Sequence, residues 1–525
     1  MKFVIFYFTL FVASCFSSPA VKNLDAVNRI SDFDMHPHKQ KTENFFKPLN
    51  EQEESKDYWI NEAKAFVEKQ VKQQPNTNTA RNVIMFLGDG MSHYSIAGAR
   101  LLMGGEEKKL YFENFPYTAS SKTYCVDLQV SESACTAVAY LSGVKTNDGV
   151  IGINAKSSSA NCADSIDESN YVDSIATWFQ DKNRSTGVVT TTRITHASPA
   201  GLYAHVTNRD WEDNSYVVED GCDDTIVDDI AEQLIHGKTG SKFKVILGGG
   251  SRHFVNNDST TDHGTSGRRF DGKNLIDEWK NLNPTGRYVK NRQELLDTPN
   301  DVDKLFGLFN SDHIQYYIDI LRDNLEAEKP SLADMTKKAI EILDTDEKGY
   351  FLFVEGGRID HGHHGNQGKH ALSEAVEFSK AIEEATKMVN LNETLIIVTA
   401  DHGHVMTLSG YADRGHDIFG VAGTGDDNLP YLTLSYANGE GNYETYKNGE
   451  RVDPTKVESY SNDFNNHKFP ATVPLESETH GGEDVGIWAI GPWAHLFQGT
   501  LEQNVIAHIM AYASCVGNGL KACDN

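Results

Sequence analysis

Three short apolar runs in this chain each lead into an acidic residue, and that pairing restricts the fold more than anything else in the sequence. Val83-Ile-Met-Phe-Leu87 leads to Asp89, Tyr350-Phe-Leu-Phe-Val354 to Glu355, and Leu395-Ile-Ile-Val-Thr-Ala400 to Asp401-His402. Continuous apolar runs of this length read as strands. Between the second and third runs, Ala371, Ala375, Phe378, Ile382, Ala385 and Val389 share one helical stripe. Gly349 to Asp401 therefore reads as a βαβ crossover, which predicts an α/β fold with a mostly parallel central sheet flanked by helices. Ligands of such sheets collect beyond the carboxyl ends of the strands. Asp89, Glu355, Asp360, Asp401 and His402 all fall there.

Their chemistry points the same way. Glu355-Gly-Gly-Arg-Ile-Asp360-His361-Gly-His363-His364 gathers two carboxylates and three imidazoles. Mixed oxygen and nitrogen donors suit zinc or another borderline divalent cation. Asp360 and His364 stand four apart, so a helical turn projects both from one face. A polar post-strand loop is the plainer reading of this segment alone, but Asp89 and Asp401-His402 repeat the arrangement. Ser133, in Val130-Ser-Glu-Ser133-Ala-Cys135, opens a small-residue, helix-compatible run. A hydroxyl there lies near helix-terminal N–H groups that favour an anion, although an ordinary N-cap fits the same pattern. Thr190-Thr-Thr-Arg-Ile-Thr-His196-Ala-Ser198 adds an imidazole and a hydroxyl, and Glu478-Thr-His480 a late imidazole. Arg209 supplies a guanidinium suited to two phosphate oxygens. Singly, Arg209 and His480 would pass for a surface ion pair and a structural histidine.

The chain has 525 residues and a net charge of −27. Such a surface argues against a nucleic-acid polymer or an anionic membrane as partner. An anionic substrate would need bound cations to attract it. Lys2, the apolar Phe3 to Ala13 and the small Ser17, Ser18 and Ala20 read as a secretory signal over residues 1–20. The polar ending Lys521-Ala-Cys-Asp-Asn525 lacks the hydrophobic tail of a lipid-anchor signal. These features predict an exported, extracellular protein with no membrane anchor. Residues 21–80 read as an N-terminal arm with a helix from Tyr58 to Val71, and 81–525 as the main domain. Within it, 410–475 reads as a β-rich insertion, with hairpin turns at Asn438-Gly439 and Asn448-Gly449. Six cysteines remain after a signal carrying Cys15, and spacing favours Cys515 with Cys523. Asn183, Asn257 and Asn392 head glycosylation sequons.

Taken together these segments resemble the alkaline phosphatase family. The matching stretches are Phe86-Leu-Gly-Asp-Gly-Met91, Ser133-Ala, Thr190-Thr-Thr-Arg with His196-Ala-Ser-Pro-Ala-Gly201, Glu355 to His364, Thr399-Ala-Asp-His402 and Glu478-Thr-His480. They stand in the family's order over roughly residues 55 to 525, and His196 and His361 look like the animal branch. The resemblance implies hydrolysis of phosphate monoesters through a phosphoserine on Ser133, with two zinc ions and one magnesium. Asp360, His364 and His480 would hold the first zinc. Asp89, Asp401 and His402 would hold the second, beside Ser133. Ser198 and Glu355 would join Asp89 at magnesium, and Arg209 would clamp the phosphoryl oxygens. Deprotonated ligands predict an alkaline optimum. The resemblance also implies Cys162–Cys222 and Cys515–Cys523 disulfides and a homodimer using the segment near residues 50–72.

Some positions depart from the pattern. Glu132 stands where the family usually has Asp to orient the clamping arginine, which predicts altered substrate affinity. Cys135 replaces a common Gly and reads as a small buried residue; neither it nor Cys125 has an assignable partner. Asn310 and Lys329 replace acidic ligands of the calcium site of mammalian members, so that site is expected to be absent or altered. The competing readings are a phosphodiesterase or sulfatase of the same superfamily, and a non-catalytic secreted metal-binding protein.

Overall fold

A computed structural model of the protein describes residues 50–524. The expected signal at 1–20 and nearly all of the extended arm lie outside them. Ten strands form one sheet in the spatial order Gly499–Glu502, Tyr117–Lys122, Val485–Ile490, Thr394–Thr399, Asn82–Gly88, Tyr350–Gly356, Ser185–Arg193, Val245–Gly249, Leu305–Leu308, Arg287–Val289. Only Val485–Ile490 runs against its neighbours; every other pairing in this sheet is parallel. The three apolar runs are thus adjacent central strands, parallel as expected.

Alternation along these strands explains why they are apolar throughout. Val83, Met85, Leu87, Phe351 and Phe353 pack into one core layer, whereas Ile84, Phe86, Leu352 and Val354 enter the other. Both faces are covered, so apolar side chains fill the middle of each strand and the polar ones sit at the ends. One layer rests on the helices Ser133–Ser142 and Val505–Ser514, the other on Leu332–Leu343 and Gly368–Met388. Gly368–Met388 is the predicted crossover helix, and Val389 lies just past its end.

Between residues 410 and 475 the chain forms several short strands, but not a set of hairpins. Met406–Leu408, Leu434–Asn438 and Ala471–Val473 form a three-stranded sheet over a small core of its own. Asn448-Gly449 does join two antiparallel strands, with both residues at positive φ. Asn438-Gly439 does not. The turn leads into the helix Gly441–Thr445, and Leu434–Asn438 pairs instead with Met406–Leu408 and Ala471–Val473. Asn366 is the cause: its amide donates to Asn438 O at 3.0 Å and its Oδ1 accepts from Gly441 N at 2.9 Å, satisfying the turn from outside.

Cys162 bonds to Cys222 and Cys515 to Cys523. Cys125 and Cys135, to which the sequence assigns no partner, are bridged to each other. The predicted N-terminal helix spans Lys56–Val71, capped by Ser55, and none of its residues is buried.

Candidate active site

Four neighbouring parallel strands deliver their carboxyl ends to one place. Thr394–Thr399 leads to Asp401, Asn82–Gly88 to Asp89, Tyr350–Gly356 carries Glu355, and Ser185–Arg193 carries Thr190 and Thr192. Asp360 and His364 follow on the helix Arg358–His364, and the short antiparallel strand pair Gly403–His404 and His480–Gly481 closes the side of the cluster. All the predicted ligand residues converge here.

Three groups of donor atoms stand out. In the first, Asp360 Oδ1 lies 3.3 Å from His364 Nε2 and 3.4 Å from His480 Nε2, and the two imidazole nitrogens are 3.0 Å apart. In the second, His402 Nε2 lies 3.2 Å from Asp401 Oδ2, 3.6 Å from Asp89 Oδ1 and 3.3 Å from Ser133 Oγ. In the third, Asp89, Glu355 and His196 bring one donor atom each within 4.8 Å of one another. Tetrahedral ligands on zinc bonds of about 2.0–2.1 Å stand about 3.3 Å apart, so the spacings of the first two groups suit one shared cation each.

Orphaned polar atoms identify what the cluster is built for. Both oxygens of Asp89, Oδ2 of Asp401, Oε1 of Glu355, Oγ of Ser198 and Nδ1 of His196 are buried without a hydrogen-bond partner among the described residues. Such groups are costly unless a cation meets them. The electrostatics agree. Burial first, then the neighbouring Asp401, Asp360 and Glu355, push the Asp89 carboxyl well above the usual range. Burial likewise raises Glu355 to about 7 despite hydrogen bonds from Thr190 and Thr192. Burial would also raise Asp360, but the imidazoles of His364, His404 and His480 outweigh it and hold that carboxyl well below its ordinary value.

Ser133 begins the helix Ser133–Ser142 and is almost fully buried. Its predecessor Glu132 caps that helix with both oxygens. Oε2 accepts from Ala134 N at 2.7 Å and from Arg209 Nη1 at 2.6 Å; Oε1 accepts from Cys135 N at 2.7 Å and Gly149 N at 3.0 Å. Arg209 Nη2 lies 3.2 Å from His196 Nε2. Burial holds His196 well below its usual pKa, so a neutral ring accepts from the guanidinium. His361 stands edge-on to His196 with ring centroids 5.4 Å apart, and His313 makes the third ring of that group.

Two participants escape a motif-by-motif reading. His404 Nε2 lies 2.8 Å from Asp360 Oδ1, and its Nδ1 lies 2.6 Å from Glu478 Oε2. Although burial opposes the charge, those two carboxylates raise His404 to about 10. The charged ring thus holds Asp360 in place. The available signal was the repeated imidazole in Asp401-His402-Gly-His404 and the carboxylate two residues before His480.

A family model described as alkaline phosphatase matches residues 80–516. The chain belongs to the alkaline phosphatase family. Similar proteins include the membrane-bound alkaline phosphatase of Bombyx mori, 44% identical over 482 residues, covering 89% of this chain and 86% of that one. The tissue-nonspecific isozyme of Homo sapiens is 43% identical over 497 residues, covering 90% and 91%. Among solved structures, the Thermus thermophilus alkaline phosphatase aligns with a TM-score of 0.61 at 21% identity, over 87% of this chain and 97% of that one. At that identity the structural likeness speaks for the fold. As an alkaline phosphatase the chain is a phosphoric monoester hydrolase of a metal-dependent family, and it carries side-chain groups able to hold metal ions.

Proposed function

We propose that this alkaline phosphatase hydrolyses phosphate monoesters through a phosphoserine on Ser133, with two zinc ions and one magnesium. The observation that carries the reading is the set of orphaned buried oxygens around Asp89, Asp401 and Glu355, within reach of one serine hydroxyl. Asp360, His364 and His480 would hold one zinc, and Asp89, Asp401 and His402 the other. The oxygen-rich group of Asp89, Glu355 and Ser198 suits magnesium. Bound cations supply Lewis acidity and positive charge for the phosphoryl, attacking and leaving oxygens.

The chain's own groups do the rest. Ser133 Oγ attacks phosphorus in line, and the bond to the leaving alcohol oxygen breaks. Water then cleaves the phosphoserine, releasing inorganic phosphate and restoring the hydroxyl. Arg209, fixed by Glu132, offers its remaining N–H groups to the phosphoryl oxygens, where charge is most exposed. His196 accepts from Arg209 and holds the other edge of the guanidinium. His404 orients Asp360.

Residues 81–525 form the catalytic domain with 410–475 as a crown-like insertion, following a signal and an arm. The calcium site near Phe309 and Asn310 is absent or altered: Lys329 Nζ donates to Phe309 O at 2.6 Å, so an ammonium takes that carbonyl, and Asn310 Nδ2 donates to His313 O at 2.6 Å. The protein is secreted, with sugars on Asn183, Asn257 or Asn392; disulfides support an oxidising compartment, and no described helix is long and apolar enough to cross a membrane. It is a homodimer, supported by the exposed apolar side chains of the Lys56–Val71 helix.

The test is hydrolysis of 4-nitrophenyl phosphate by wild type and by Ser133→Ala, before and after chelation. Turnover lost with the serine and lost reversibly with the metals supports the reading. Full activity in Ser133→Ala removes it.

A further inference from the structure

We propose that the Cys125–Cys135 disulfide is a positioning element for phosphate binding: it fixes the backbone of Ser131 and Glu132, and through them His480 and Arg209. The proposal rests on the reading of Ser133 and Arg209 given above.

Residues 123–132, between the Tyr117–Lys122 strand and the nucleophile helix, form neither helix nor strand. The loop faces outward. Val126, Leu128 and Val130 are exposed, whereas both cysteines are almost fully buried. An open cleft of about 450 Å³, lined by Tyr124, Val126, Leu128, Gln129, Gly482 and Asp484, lies against it in place of core packing. Its start is anchored by Thr123 Oγ1 donating to Glu483 O at 3.3 Å and Lys145 Nζ donating to Tyr124 O at 3.1 Å; beyond Tyr124, Cys125 N donates to Leu128 O at 3.1 Å, Val126 N to Thr146 O at 3.0 Å, and Asp148 N to Asp127 Oδ1 at 2.9 Å.

Yet this loosely packed loop carries two contacts of the site. Ser131 O lies 2.7 Å from His480 Nδ1, which fixes the ring whose Nε2 faces Asp360. Glu132 binds Arg209 Nη1 while capping the nucleophile helix. Cys135 is the third residue of that helix, and the bridge ties it to Cys125 across a separation of ten residues. A covalent closure of so short a loop removes most of the alternative backbone paths between its ends. Supporting groups must hold a site within about 0.5 Å of its productive geometry. The bridge supplies that support where packing does not.

The test compares Cys125→Ala/Cys135→Ala with wild type, well below the melting temperature of either. The expected result is that KM for 4-nitrophenyl phosphate and Ki for inorganic phosphate rise together by about fivefold or more, the scale on which small displacements of positioning groups act. Cys515→Ala/Cys523→Ala, which removes the bridge near the C-terminus, should lower Tm without moving either constant. If both double variants merely lower Tm and leave KM and Ki unchanged, the bridge is a staple and the proposal fails. Arg209→Ala, measured alongside, separates the two layers of inference: an unchanged phosphate Ki there would end the clamp reading itself. Should Cys125→Ala/Cys135→Ala not fold, the same Ki is read on folded wild type after reduction of this bridge. The mass of the tryptic peptide Thr123–Lys145, which contains both cysteines, follows that reduction. An unchanged Ki in the reduced enzyme overturns the proposal, as does a peptide carrying two free thiols before reduction.

Discussion

Glu132 shows how much one side chain is asked to do. Its four acceptor contacts reach Arg209, two helix N–H groups and Gly149. Aspartate is one methylene shorter and cannot keep all four. Glu132→Asp should therefore change KM for a phosphate monoester by a few-fold with little change in kcat, since what moves is a binding group; identical kinetic constants would refute this. His404 gives a second prediction. Removing a group that orients a metal ligand typically costs about 10–100-fold in metal affinity or activity. His404→Ala should lose zinc on dialysis faster than wild type and show a correspondingly lower kcat/KM, and retention of full metal content would contradict the assignment. The positions proposed to hold metal were legible because each follows a strand or sits in a local motif. His404 and Glu478 were not, because their importance comes from contacts with Asp360 and with each other across the fold. Nor was the Cys125–Cys135 pairing: ten residues of irregular loop carry no periodicity from which to judge how the chain folds back.

Among the elements, the central strands were the easiest to read. A strand buried on both faces keeps its middle apolar and leaves polar residues to its ends, so its sequence is nearly uniform in character. The insertion was harder. Asn438-Gly439 has hairpin chemistry, but a distant Asn366 decides its path, and a local pattern cannot report a tertiary hydrogen bond. This insertion also has a pH-sensitive core. His467 packs against Phe464 and Phe469, and burial lowers its pKa to about 4. Its proton is bound more readily in the unfolded chain, where the ordinary value is about 6.5. Stability is therefore complete above about pH 6.5 and declines as pH falls toward 4. Melting curves over that window should show less acid sensitivity in His467→Gln than in wild type. Equal slopes would assign the acid sensitivity elsewhere.

At the scale of the whole molecule, one helix is out of keeping with the rest. Lys56–Val71 exposes Trp59, Ile60, Phe66, Val67 and Val71, an apolar set that a monomer would leave in water. Sedimentation of wild type should give a dimer, and Phe66→Glu should weaken it; a wild-type monomer at micromolar concentration would contradict the homodimer. The larger design is the delivery of acidic side chains from three adjacent strands, with threonine hydroxyls from a fourth, to one edge of a sheet, where only cations reconcile them. Anomalous diffraction at the zinc edge tests that design most directly. It should give one peak among Asp360, His364 and His480 and a second among Asp89, Asp401 and His402, beside Ser133. A zinc-replete crystal with no peak at either position would contradict it.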